Sequence, residues 1–258
     1  MAAKTYKAQG IVLKKTKLGE KDLIITVLDQ DGSLVQCVAK GARKPGGSFA
    51  SRLELFSVVD VMLAKGRSLD VVCEARLVDA MTISGFDLER TACASPIAEL
   101  LCAIAQQDLE QPRLFDMARS AFLHLADASY SAPALLAIAS AALWKIMAQS
   151  GFRPSFSRCA ICSKPVDLTA ESQSVALSMS EGGTACGNCL RPADAVLCDA
   201  NIVRWCEALI SLRFDDVAVS GMDVDTAFAT LRLVRQWVRV HTGRTLKSLD
   251  FLFVSGLF

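Results

Sequence analysis

Four cysteines in two pairs are the residues best placed by type and spacing to do chemistry in this chain. Cys159 and Cys162 stand in SRCAICSKP, Cys186 and Cys189 stand in GGTACGNC, and 23 residues separate the pairs. Two residues between thiolates let both sulfurs face one ion from a tight turn. Two such knuckles supply the four sulfurs of a tetrahedral zinc shell. The spacer is longer than the common range of about 15 to 20 residues, which a loop or hairpin absorbs. Gly187 and Asn188 can adopt positive φ in the second knuckle. The competing chemistry is thiol–disulfide exchange, but a redox C-x-x-C ordinarily occurs as one pair at a helix N-terminus after a strand. Catalytic zinc keeps an open position and usually a histidine or carboxylate ligand. Four sulfurs close the shell, and His124 and His241 are both far from the knuckles in the sequence. The pattern therefore predicts one structural Zn2+ whose binding energy folds its surroundings. Cys198 is near enough to serve as a spare ligand. Cys37, Cys73, Cys93, Cys102 and Cys206 fall inside strand or helix patterns and read as core thiols.

A second chemistry is written in charge. Residues 1–52 hold ten basic and four acidic side chains, an excess of six, although the whole chain is only +1. Lys14, Lys15 and Lys17 cluster near the end of one apolar run. Lys40, Arg43 and Lys44 cluster in the long loop KGARKPGGS, and Arg52 follows. Lysine and arginine neutralise phosphates and release counterions, which favours nucleic acid without reading its sequence. Glycines in that loop let a backbone approach a phosphate chain closely. An ordinary solvated rim fits the same charges. Aromatics are sparse here (Tyr6, Phe49 and Phe56), so contact with DNA would rest on backbone charge rather than base stacking. Arg232, Arg235 and Arg239 lie three and four apart and share a helix face, beside an apolar face of Leu231, Val234 and Val238. They form either a second basic track or the polar side of an ordinary amphipathic helix.

The elements that must position these residues change character along the chain. YKAQGIVLKK, DLIITVLDQ, SLVQCVAK, SVVDVMLA and LDVVCEARLVDA are β-branched, partly alternating and separated by turn signals. Five short strands with one long basic loop suit a small barrel of the OB type, and another small antiparallel sheet fits the same pattern. From about residue 86 the apolar period becomes helical, through IAELLCAIAQQ, RLFDMARSAFLHLAD and PALLAIASAALWKIMAQ. Ser131 with Pro133 marks the start of the third helix and Gly151 its end. Residues 153–198 turn to Ser, Gly, Pro and Cys, an insertion held by something other than an apolar core. Helical patterns return in NIVRWCEALISLRF and TAFATLRLVRQWVRVHTG, with Asp199 and Asp225 as start signals and Gly243 as a stop. The expected fold is α+β and multidomain. An OB-fold DNA-binding domain takes residues 1–82, an α-helical domain takes 83–152 and 199–258, and a zinc-binding insertion takes 153–198.

Composition limits the remaining choices. The sequence contains no G-x-S-x-G elbow, no phosphate-binding P-loop and no G-x-G-x-x-G after a strand, so a binding protein is expected rather than an enzyme. The first ten residues are polar, unlike a signal peptide. The longest apolar stretch, residues 133–144, is shorter than the roughly 20 residues of a spanning helix. A cytoplasmic protein outside the membrane is expected, with its thiols reduced rather than paired as disulfides.

The order of parts resembles the bacterial RecO family of DNA repair proteins over nearly the whole chain. GIVLKK, GEKD and VAKGARKP in the barrel carry the resemblance, as do PRLFD, SGFRPSFSRC, the four-cysteine insertion and the terminal GRTLKSL. VAKGARKP and the placement of CAIC and CGNC after the third helix are its most specific parts. The resemblance implies a recombination mediator of the RecF pathway that is associated with the nucleoid. It implies binding to single- and double-stranded DNA, annealing of complementary strands, and work with RecR to help load RecA. It also implies engagement of the acidic C-terminal tail of the single-stranded DNA-binding protein. On this chain the implied phosphate contacts are Lys14, Lys15, Lys17, Lys40, Arg43, Lys44 and Arg52. The near-neutral total charge keeps a second expectation open: a zinc-containing protein-interaction module with little direct DNA binding.

Overall fold

A computed structural model describes residues 4–44, 49, 51–81, 83, 87–169, 174–189 and 194–258. Gly46 and Gly47, two of the glycines expected to approach phosphate, lie outside the described residues, as does Pro45. The chain forms two compact units, residues 1–128 and 129–258.

All five expected strands are present, as β1 (Thr5–Leu18), β2 (Asp22–Asp29), β3 (Leu34–Ala39), β4 (Val58–Ala64) and β5 (Asp70–Asp79). They close into a barrel in the order β1-β2-β3-β5-β4, which bears out the OB-like expectation. The pairings are antiparallel except β3 with β5, where Cys37 faces Asp70 and Val38 faces Val71. Closure depends on β1. Its residues 5–11 pair with β4, and its residues 10–18 pair with β2 around a bulge between Val12 and Lys14. The bulge bends one strand so that it serves both sides of the barrel. Glycine is needed at the crossing, because a Cβ on Gly10 would meet the Leu28 carbonyl oxygen at 2.3 Å. The interior is β-branched and small: Val12, Ile25, Val27, Val59, Val61 and Val72, closed by Ala42 and Leu53 from the loop between β3 and β4. Each fully buried Val or Ile contributes roughly 1.5–3 kcal/mol to this core.

Cys73 departs from the core reading and is exposed. Met62 pairs with Glu74 and Leu63 with Val72, so Cys73 is the extra residue of a bulge and turns outward.

Two helices complete the first unit: α1 (Leu88–Ile104) and α2 (Pro112–Ala126). They pack on the barrel, so the compact unit that contains it extends to residue 128. Leu34 N–H donates to Gln106 O at 3.0 Å, Gln111 N–H donates to Asp31 O at 2.6 Å, and the Phe56 and Phe122 rings lie 5.2 Å apart. Gly32, at φ +83°, sits where a Cβ would collide with the Gln111 carbonyl.

The second unit is organised around α3 (Ala132–Met147), which is buried on nearly every face and runs into a π-helical turn at Ala148–Phe152. Gly151, at φ 92°, ends it. Together residues 132–152 are apolar and long enough to cross a membrane by composition, but 67% of their apolar 18-residue window is buried inside the protein, as in a core helix. Three short strands follow: β6 (Ser174–Ser178), β7 (Gly183–Ala185) and β8 (Val196–Asp199), in the order β7-β6-β8. This insertion has a small apolar core after all, with Phe156, Leu168, Val175, Leu177 and Met179 buried. The last helices are α4 (Ala200–Ser211), α5 (Phe214–Ala218), α6 (Val224–Thr242) and α7 (Lys247–Val254). Asp199 caps α4 through Asn201 N–H, and Gly243 ends α6 in the left-handed region. Asp223, not Asp225, caps α6, because its carboxylate accepts from Thr226 N–H.

Candidate metal centre and nucleic-acid interface

The two cysteine knuckles are brought together by backbone pairing between their flanks. Cys159 N–H donates to Lys164 O and Ser163 N–H to Cys159 O, both at 2.8 Å, which folds the first knuckle tightly. Positive φ falls on Ser163 (60°) in that knuckle; neither Gly187 nor Asn188 adopts it. Thr184, two residues before Cys186, joins the knuckles. Its N–H donates to Ser155 O at 2.9 Å, its hydroxyl donates to Phe156 O at 2.8 Å, and its carbonyl accepts from Ala160 N–H at 2.7 Å.

The result is a compact sulfur cluster. The Sγ atoms of Cys159, Cys162, Cys186 and Cys189 all lie within 4.8 Å of one another. The Cys159–Cys189, Cys162–Cys186 and Cys186–Cys189 separations are 3.8, 3.6 and 3.7 Å. A tetrahedron with zinc–sulfur bonds of about 2.3 Å has edges of about 3.8 Å, so the cluster has the dimensions a zinc ion needs. Burial pushes the Cys159 thiol up, but N–H donors from Cys186, Cys162 and Ile161 outweigh it and hold the group below its ordinary value. Cys189 moves the other way, pushed up by its Cys162 and Cys186 neighbours. Cys198 is not in the cluster.

The cations of the barrel are gathered by strand register. Lys17 pairs with Leu23, and Leu23 pairs with Ala39, so Lys17 and Lys40 flank one end of the barrel across three strands. Lys17, Lys40, Arg43 and Lys44 are exposed there, whereas Lys14 is exposed farther along β1, opposite Thr26 and near Cys102 of α1. Lys15 is partly covered and ion-paired to Glu54 at 3.0 Å. Lys21, overlooked in the sequence, is exposed in the β1–β2 turn beside them. Arg43 donates from its guanidinium to Gly19 O and Glu20 O.

Arg52 is placed apart from this group. It donates to Ala75 O at 3.3 Å and borders an open cleft of about 730 Å³ with Lys7, Arg76, Asp29, Asp31, Asp60 and Glu74. Both signs of charge line that cleft, which does not suit a polyanion. The arginine stripe of α6 is largely engaged within its own unit. Arg235 pairs with Asp250 at 2.5 Å, and Arg232 lies over the rings of Phe228 and Phe253 at 5.8 and 5.6 Å. Arg239 is exposed.

Comparison with known proteins gives one consistent match along the chain. Residues 1–81 match the family described as recombination protein O, N terminal, and residues 85–250 match recombination protein O, C terminal. Relatives from two strains of Bifidobacterium longum, DJO10A and NCC 2705, are each named DNA repair protein RecO. Each is 31% identical over 249 residues, covering 96% of this chain and 98% of its own length.

Proposed function

This chain belongs to the RecO family of DNA repair and recombination proteins, and from that premise we propose that it is a mediator that grips DNA backbones with the cations at one end of its barrel. Single- and double-stranded DNA are its ligands. Complementary strands anneal on it because fixed cations screen the repulsion between their phosphates. It works with RecR, engages the acidic tail of the single-stranded DNA-binding protein, and helps load RecA onto DNA that protein covers. It acts by binding, with no catalytic step, in the cytoplasm at the nucleoid. Its resident ion is one Zn2+ held by Cys159, Cys162, Cys186 and Cys189, and the ion's work is to fold the insertion.

The observation that carries this proposal is the register that sets Lys17 and Lys40 at one barrel end, with Lys44 in the turn that follows β3. The deciding experiment is a titration of labelled single-stranded DNA at two salt concentrations, with the native chain and with a K40A/R43A/K44A variant. Steep weakening with salt and a shallower slope in the variant are expected. Unchanged affinity in the variant would remove the barrel end from the interface.

A further inference from the structure

The cationic barrel end contains an acid whose position charge alone does not explain. Asp22 is the first residue of β2 and is only partly exposed. Its carboxylate accepts from Gly41 N–H at 2.7 Å. Two residues on, Arg43 N–H donates to Lys21 O at 3.0 Å, and the Arg43 guanidinium donates to Gly19 O and Glu20 O at 3.0 and 2.9 Å. Gly41 takes φ +70°, so the chain reverses there and offers its N–H to the carboxylate. Asp22 and Arg43 thus stitch the segment after β3 to the β1–β2 turn from two sides. Lys40 and Lys44 flank the stitched residues, and Lys17 precedes the turn.

We propose that Asp22 and Arg43 are positioning residues that latch the Lys40–Lys44 segment onto the β1–β2 turn and so set the spacing at which Lys17, Lys40 and Lys44 meet phosphates. The proposal rests on the DNA-binding function above. It assigns Arg43 a role through its neighbours, and it gives an acid a favourable role in binding a polyanion. A latched segment presents its ammonium groups without first losing loop entropy on binding.

The test uses the difference between two variants of equal charge. Asp22→Asn keeps an oxygen that can accept from Gly41 N–H; Asp22→Ala does not. Both remove one negative charge from the patch, so electrostatics alone gives them equal affinities, each tighter than the native chain. The latch instead requires D22A to bind a labelled oligo-dT about threefold to tenfold more weakly than D22N. D22A binding as tightly as D22N would overturn the proposal. Hydrogen exchange on the same proteins without DNA gives a second reading: amides of residues 41–44 should exchange faster in D22A than in D22N, and equal protection counts against the latch. A K40A/K44A variant separates this question from the underlying function. If it binds DNA as the native chain does, the barrel end is not the interface. The exchange result still decides whether the latch exists.

Discussion

The ring of Phe156 meets the ring of Trp144 edge-on, with centroids 5.5 Å apart and planes at 78°. Phe156 is three residues before Cys159 and only 2% exposed, and it also lies 6.4 Å from Trp237. The first cysteine knuckle is therefore anchored to the helical core by an aromatic plug as well as closed by sulfur. Phe156→Ala should cost about 3–5 kcal/mol through the cavity it leaves. The chain's three tryptophans, Trp144, Trp205 and Trp237, all lie in residues 129–258, so intrinsic fluorescence follows that unit alone. A urea midpoint by fluorescence that matches the native protein would show that the plug carries no such load.

Metal content gives a second prediction. The native protein should hold about one zinc per chain, as a closed four-thiolate shell requires. Cys162→Ser and Cys186→Ser should each lose it, and Cys198→Ser should retain it. Elemental analysis after gel filtration checks all four proteins. Chelation should lower the melting temperature read by fluorescence, because the ion's binding energy is folding energy for the insertion. A metal-free native protein with Cys159 and Cys162 cycling between thiol and disulfide would point to redox chemistry instead.

Much of this was legible in residue order. The cysteine pairs were readable because ligand spacing is a local property, and the five strands because β-branched alternation is local too. A barrel was expected, but the way it closes was not readable. It depends on the parallel contact of Cys37 with Asp70 and on a bulge in β1, and neither leaves a mark in period or composition. The bulge that exposes Cys73 was hidden for the same reason. Charge clustering by sequence grouped Arg52 with Lys40 and Arg43, although Arg52 reaches the Ala75 carbonyl and a cleft of mixed charge. Sequence distance stands in for spatial distance only within one turn or strand pair, and the loop holding Arg52 travels farther than that.

The same geometry ranks the cations. Lys17, Lys40 and Lys44 are exposed at the barrel end, whereas Lys15 is held by Glu54. Removing one phosphate-binding cation should lower the slope of log K against log salt on single-stranded DNA by about 0.7. K17A, K40A and K44A should each show that drop. R52A should change the slope less than any of them. Glu54→Gln should release Lys15 and tighten binding. Equal slopes for R52A and K40A would mean that the mixed cleft, too, touches the backbone.

Lys145 supplies a prediction about pH that nothing in the residue pattern foreshadows. It sits inside α3, yet its ammonium donates to Ile210 O at 2.9 Å and Leu212 O at 2.5 Å, satisfying carbonyls at the end of α4, with the Phe214 ring 5.6 Å away. Burial, reinforced by Arg153, brings it from its ordinary 10.5 down to about 8. The folded chain therefore gives up this proton more easily than the unfolded chain. Between about pH 8 and pH 10.5 the unfolded state binds more protons, so the lysine's contribution to stability rises with pH. It is smallest below pH 8, where both states are charged and the folded one bears the desolvation cost. Lys145→Met removes the titration and the two bonds, leaving two carbonyls unsatisfied, and should cost about 1–3 kcal/mol near neutral pH. The gap between native and K145M stability, read by urea unfolding on tryptophan fluorescence, should widen from about pH 7 to about pH 9.5. A gap that stays constant would mean that the Lys145 amine titrates near its ordinary value, with its charge open to solvent.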